Sequence, residues 1–128
     1  MNLWAEIART LAPPGYKRLA GTLVRQLTTK PARPSPESLV RDQLAQTIPG
    51  SQTEVSTPYG RIDILTPTEV IEVKRAAQWK QAMGQVQIYA QVYPHHRPRI
   101  HLFGPVKNKT LIRKTCRARG IRCTFAEE

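Results

Sequence analysis

Apolar positions near the start of the chain recur at helical spacing. Leu3, Trp4, Ile7, Ala8 and Leu11 form one stripe, Pro13-Pro14-Gly15 interrupts it, and Tyr16, Leu19, Ala20, Leu23, Val24 and Leu27 form a second. This pattern predicts two short amphipathic helices, a helical hairpin over residues 1–30. Residues 31–36, Pro-Ala-Arg-Pro-Ser-Pro, read as a stiff linker, because each proline fixes its own φ and restrains the residue before it. Ser35 suits an N-cap and Pro36 the first helical position, so a third helix is expected to run to about Thr47, with Val40, Leu44 and Ile48 facing inward. Pro49-Gly50 ends it.

The period then changes from helical to alternating. Gln52–Thr57 predicts a strand and Pro58-Tyr59-Gly60 a turn. Arg61–Leu65 and Val70–Lys74 predict a β-hairpin around Pro67-Thr68. A helix is expected from about Gln78 to Tyr93, with Trp79, Ala82, Met83, Val86, Ala90 and Tyr93 on one face. Arg99–Phe103 reads as a strand. Asn108–Arg119 reads as a strongly basic helix closed by Gly120, and Ile121, Cys123 and Phe125 alternate in a last strand. Residues 37–128 therefore form a core domain of class α/β, a mixed sheet flanked by helices. A chain of 128 residues supports one such core.

Charge changes this picture. The chain carries 20 Lys and Arg against 9 Asp and Glu, a formal net charge of +11. Between Glu72 and Glu127 there is no acidic residue, while 12 Lys or Arg fall in that interval. Such an asymmetry points to a polyanionic partner, nucleic acid before an anionic membrane surface. No stretch reaches the ~20 apolar residues of a membrane span, so no membrane partner is expected. Cys116 and Cys123 are too few for a disulfide framework and read as reduced thiols of a cytoplasmic protein.

The central hairpin carries the candidate chemistry. With Pro67-Thr68 as a two-residue turn, Leu65 faces Val70, Ile64 faces Ile71 and Asp63 faces Glu72. Ile62, Ile64, Ile71 and Val73 then form an apolar face, with Arg61, Asp63, Glu72 and Lys74 on the other. Opposed carboxylates destabilise a hairpin unless a cation sits between them. Mg²⁺ suits such a pair, since it takes oxygen ligands and commonly uses only one or two carboxylates. Lys74, two residues beyond Glu72, can orient a water or offset developing negative charge. Salt-bridged pairing with Arg61 and Lys74 on a solvated face is the plainer alternative. His95, His96 and His101 fit loop or phosphate contacts better than a metal site.

Asp63 followed by Glu72-Val73-Lys74 resembles the metal motif of the PD-(D/E)XK nuclease superfamily, with Ile62 where the family name has proline. The order helix, three strands, helix, strand over most of residues 35–128 is similar to that superfamily's restriction-endonuclease-like αβββαβ core. The resemblance implies a DNA endonuclease that uses Mg²⁺ or Mn²⁺ held by Asp63, Glu72 and the Val73 carbonyl, with Lys74 positioning the attacking water. Family members often add a glutamate from the first core helix, which implies Glu37 as a further catalytic or metal-binding residue. Its alternative role is a first-turn carboxylate paired with Arg41, and Glu54 competes for the catalytic one. In many relatives a glutamine on the helix after the motif approaches the site, which suggests Gln81 or Gln85, with Tyr89 one turn on. Lys107, Lys109, Arg113, Lys114 and Arg117 are expected to grip double-stranded DNA.

A twofold homodimer is expected if both strands are cut. A homing or restriction-like substrate is favoured over a Holliday junction. The alternatives are a non-catalytic basic nucleic-acid-binding module and, more distantly, an assembly protein docked on RNA.

Overall fold

The computed structural model describes residues 33–127, so the expected helical hairpin over 1–30 lies outside the described residues. The elements follow the order α1 (Pro36–Thr47), β1 (Gln52–Thr57), β2 (Gly60–Leu65), β3 (Glu69–Arg75), a 3₁₀ turn (Ala76–Gln78), α2 (Trp79–Ala90), β4 (Arg97–Phe103), α3 (Lys109–Ala118) and β5 (Arg122–Phe125). The five strands form one mixed sheet in the order β1-β2-β3-β4-β5. β1, β2 and β3 pair antiparallel, whereas β3, β4 and β5 pair parallel. Helical crossovers α2 and α3 supply the return connections that parallel neighbours require.

The helix ends carry the expected chemistry. Ser35 accepts from the Ser38 N–H at 3.1 Å, and Pro36 occupies the first turn. Asn108 caps α3 by accepting from the Leu111 N–H at 3.0 Å. Gly120 follows α3 with φ +69°, the left-handed conformation that ends a helix at little cost to glycine. α2 ends at Ala90, short of the expected Tyr93: Gln91, Val92 and Tyr93 continue only as tighter turns whose N–H groups reach back three residues. Pro94 then forbids further helix.

Two apolar clusters form the core. Ile64, Ile71, Val73 and Phe103 pack against Val40, Leu44, Ala45 and Ile48, which fixes α1 on one side of the sheet. Val70, Ile100 and Leu102 pack with Ala82, Met83 and Val86 of α2 and Ile112 and Cys116 of α3. β3 lies between both layers, and its residues from Glu69 to Val73 are all buried. A strand covered on both faces buries every side chain, whatever its polarity. That placement puts Glu72 in the interior.

The hairpin register is the expected one, with Ile64 opposite Ile71 and Leu65 opposite Val70. The Thr66 N–H donates to the Glu69 carbonyl at 2.9 Å, and Thr66 Oγ1 accepts from the Glu69 N–H at 2.7 Å, closing the Pro67-Thr68 turn. The expected apolar face does not hold at its first member. Ile62 packs on the α2 side with Val70, apart from Ile64, Ile71 and Val73. The cause is a break in the ladder. β1 pairs Thr53 with Ile64 and Val55 with Ile62, and skips Glu54 and Asp63. Glu54 has φ +54°, where a residue with a Cβ is strained. Strict alternation of faces stops at that level.

Candidate active site

Asp63 sits where β2 loses its regular partners on both sides. Its carboxylate compensates on the β3 side, because Asp63 Oδ2 accepts from the Val73 backbone N–H at 2.8 Å. A side-chain oxygen thus stands in for the carbonyl that a regular antiparallel ladder would provide. This tethers Asp63 to the strand that carries Glu72 and Lys74.

Glu72 is only 5% exposed. Its carboxyl is pushed up to about 9, chiefly by burial, then by the Asp63 charge and a hydrogen bond with the Asp63 carboxyl. Lys74 opposes that rise, and the more distant charge of Glu37 adds to it. Without a cation, the two carboxyl groups therefore meet by keeping a proton on Glu72 at neutral pH. Glu72 Oε2 is buried and has no hydrogen-bond partner among the described residues. The same is true of Gln85 Oε1 on α2. Unsatisfied buried acceptors are costly and rare in native folds.

The hydroxyl of Tyr89, one turn beyond Gln85, is raised by burial and then by the charges of Glu72 and Asp63, which places it within their field. It lies close over Gly60: a Cβ added there would come within 2.8 Å of Tyr89 Oη. Only glycine, here at φ +131°, leaves room for the phenol. The structure thus separates the two glutamines offered by the sequence. Gln85 turns its carbonyl oxygen into the protein, whereas Gln81 is exposed.

Other candidates fall outside the pair. Glu37, in the first turn of α1, is half-buried and contributes through its charge on Glu72. It is not paired with Arg41 as the sequence suggested; Arg41 bonds Asp42 at 2.9 Å and Glu54 at 3.0 Å. Glu54 is accordingly engaged at the surface. His96 Nε2 lies 3.0 Å from the Thr66 carbonyl and His101 Nδ1 lies 2.7 Å from Thr124 Oγ1, so both serve the framework. Lys107, Lys109, Lys114 and Arg117 are exposed on or beside α3. Arg113 is half-buried and, with Lys109, lies over the Phe125 ring.

The donor set fits a hard divalent cation. Two carboxylates meet, one oxygen of Glu72 lacks a partner among the described residues, and a neutral amide oxygen is buried on α2. Among the described residues no group of three His, Cys, Asp or Glu comes together to hold a metal ion. Mg²⁺ needs no such group, since water and phosphate oxygens commonly complete its octahedron. Among the described residues no helix is long and apolar enough to cross a membrane.

Three proteins of Acanthamoeba polyphaga mimivirus, each named for a KilA-N domain, resemble the chain. One is 38% identical over 69 residues, covering 53% of this chain and 28% of the relative. A second is 39% identical over 61 residues, 47% of this chain and 16% of the relative. The third is 32% identical over 72 residues, 56% of this chain and 20% of the relative. The matched part is thus between 16% and 28% of each relative's length, and the name of the whole does not say which fold that part takes. No family model and no solved structure matches the chain.

Proposed function

We propose that this chain is a DNA-binding, metal-dependent endonuclease domain of the PD-(D/E)XK type. The observation that carries the reading is the buried meeting of Glu72 with Asp63, with Glu72 Oε2 left without a partner among the described residues. Support comes from the order α1-β1-β2-β3-α2-β4, the order of the superfamily's core. The motif residues Asp63, Glu72, Val73 and Lys74 also lie on the adjoining strands β2 and β3. The net charge of +11 supplies the attraction for a polyanion.

Asp63 and Glu72, with the Val73 carbonyl, would hold Mg²⁺ or Mn²⁺. When bound, such an ion supplies charge stabilisation for a phosphodiester and lowers the pKa of water. With such an ion bound, Glu72 would give up the proton that it otherwise keeps, and both carboxylates would be ionised. Lys74, whose charge reaches Glu72, orients the attacking water and offsets negative charge that develops on the phosphoryl oxygens. Gln85 Oε1 accepts a hydrogen bond from that water or its neighbour and fixes its direction. Tyr89 walls the carboxylates on the α2 side. Glu37 acts from outside the pair, ordering the surrounding water.

The test is cleavage of supercoiled plasmid with and without Mg²⁺. The native chain is expected to nick or linearise it only with the metal, and Asp63→Asn or Lys74→Ala is expected to reduce the rate at least ~100-fold. DNA affinity in EDTA should change little. Equal cutting by either variant refutes the assignment. Comparing a four-way junction with linear duplex separates a junction-resolving substrate from a site-specific one, and a twofold dimer is expected wherever both strands are cut.

A second reading is a non-catalytic nucleic-acid-binding module on the same fold. The relatives are named for a domain and not for a reaction, and the carboxylate centre has no third ligand among the described residues. Salt-sensitive DNA binding with no metal-dependent cutting would establish it.

A further inference from the structure

The two helical connections of the parallel strands leave the sheet at one edge. β3 ends at Arg75 and β4 at Phe103, and these two residues pair in register. After β3 the chain turns through Ala76–Gln78 into α2, and after β4 it runs through residues 104–108 into α3. Between these departures lies a cleft of about 580 Å³ lined by Trp79, Phe103, Val106 and Leu111, among others. That volume falls within the ~300–1,000 Å³ of clefts that hold small molecules. Arg75 and Lys107 also line it, and both are exposed. Every lining residue falls between Arg75 and Ile112, inside the stretch from Glu72 to Glu127 that carries no acidic residue. Among the described residues no carboxylate lines the cleft.

Lys74 and Arg75 leave β3 on opposite faces, since side chains alternate along a strand. Neither Glu72 nor Lys74 lines the cleft, so it is separate from the carboxylate centre. Its shape and charge narrow the occupant. Leu111 is 52% exposed, whereas Phe103 is buried and Trp79 and Val106 are half-buried. A flat protein or membrane surface would touch Leu111 and miss the recessed rings, while an inserted planar group reaches them. The Arg75 guanidinium lies over the Phe103 ring at 5.1 Å, a seat that leaves its N–H fork for an anion. A ligand with a flat, stacking ring and an attached anion is a nucleotide. Aromatic clefts accept bases with little regard to sequence, because every base has a π-face.

We infer that this cleft receives an unstacked base of a nucleic-acid strand, with Arg75 and Lys107 holding the adjoining phosphates. The inference rests on the reading of nucleic acid as the partner and on no step of catalysis. It narrows the substrate class. A base in a bulge, a loop or a frayed end is already outside the stack and spares the unstacking cost. A duplex with such a base is therefore bound in preference to an uninterrupted one.

The experiment measures binding of the full chain, in EDTA, to two labelled duplexes that differ only at a one-nucleotide bulge. One bulge carries a base and the other an abasic sugar. The duplex with the base is expected to bind roughly 5- to 150-fold more tightly, the range for one base–aromatic contact. Trp79→Ala should bring the two affinities together. Because Trp79 also packs against the core, a thermal melt checks its fold, and Leu111→Ser at the exposed rim is the second variant. Leu111→Ser should narrow the gap several-fold, and it decides alone where Trp79→Ala does not fold. Arg75→Gln should weaken both duplexes alike and make the log-affinity against log-salt slope shallower by ~0.7–0.9, the value for one phosphate contact. Equal affinity of the native chain for the two duplexes would overturn the base pocket, and so would a preference that the folded variants leave intact. A dimer that Leu111→Ser splits while the preference persists would assign the cleft to a second copy and overturn it too. Base-selective binding without cleavage leaves the pocket standing and defeats only the nuclease reading. Failure of the native chain to bind either duplex defeats both the nucleic-acid reading and the pocket.

Discussion

The substitution Glu72→Gln separates the two states of the carboxylate pair. In the metal-free protein Glu72 is raised from an ordinary 4.5 to about 9, so the folded chain keeps a proton that the unfolded chain has released. Between those values the folded state binds one more proton, and stability falls with rising pH by about 1.4 kcal/mol per unit. This contribution is fully present below pH 4.5 and is lost as pH rises through about 9. From pH 6 to pH 8 the loss reaches roughly 3 kcal/mol as an upper bound. Glutamine has the shape of the protonated acid and does not titrate, so Glu72→Gln should lack this slope. The assay is urea denaturation in EDTA at pH 6, 7 and 8. The native chain should lose between 1 and ~3 kcal/mol more than the variant across that interval. Adding Mg²⁺ at pH 8 should restore the native chain by RT ln(1 + [L]/Kd), about 2.7 kcal/mol at one hundred times Kd, and leave the variant nearly unchanged. Parallel pH profiles for the two proteins would refute both the retained proton and its replacement by a cation.

Two further perturbations test the framework around the site. Gly60→Ala places a methyl against Tyr89 Oη at a backbone angle that disfavours it, and should cost about 2 kcal/mol in urea denaturation. Adding Tyr89→Phe should recover the part due to the hydroxyl and leave the backbone part, so a double variant no better than Gly60→Ala would show that the phenol is not what the glycine accommodates. Glu69→Gln strips the carboxylate from the buried Arg99 and from Arg122. It should destabilise by on the order of 3 kcal/mol, and an unchanged denaturation midpoint would show that the pair is not needed.

Much of this architecture is written locally. β1 falls on Gln52–Thr57 as alternation predicts, and the two-residue turn at Pro67-Thr68 gives the register that brings Asp63 and Glu72 together. Ser35, Asn108 and Gly120 mark helix ends by chemistry that needs only a few neighbours. What escaped the sequence depends on distant partners. Extrapolating the two-residue period assigned Ile62 to the face of Ile64, because nothing in the letters announces that the ladder skips Glu54 and Asp63. Helical spacing put Gln81 and Gln85 near one another but could not say which lies over β3. Arg41 went to Asp42 and Glu54 rather than Glu37, a choice set by where β1 lies against α1. Arg99 and Arg122 stood out in no motif, since only the parallel alignment of β4 and β5 puts them opposite one another.

The bond from the Val73 amide to the Asp63 side chain also governs what can move. β2 and β3 share only two regularly paired positions, both next to the turn, and beyond them the connection runs through that one carboxylate. The far part of β2 is therefore tied to β3 by a side chain where a regular ladder would use the backbone. The register of the hairpin and the mooring of Asp63 are in this way assigned to different joints.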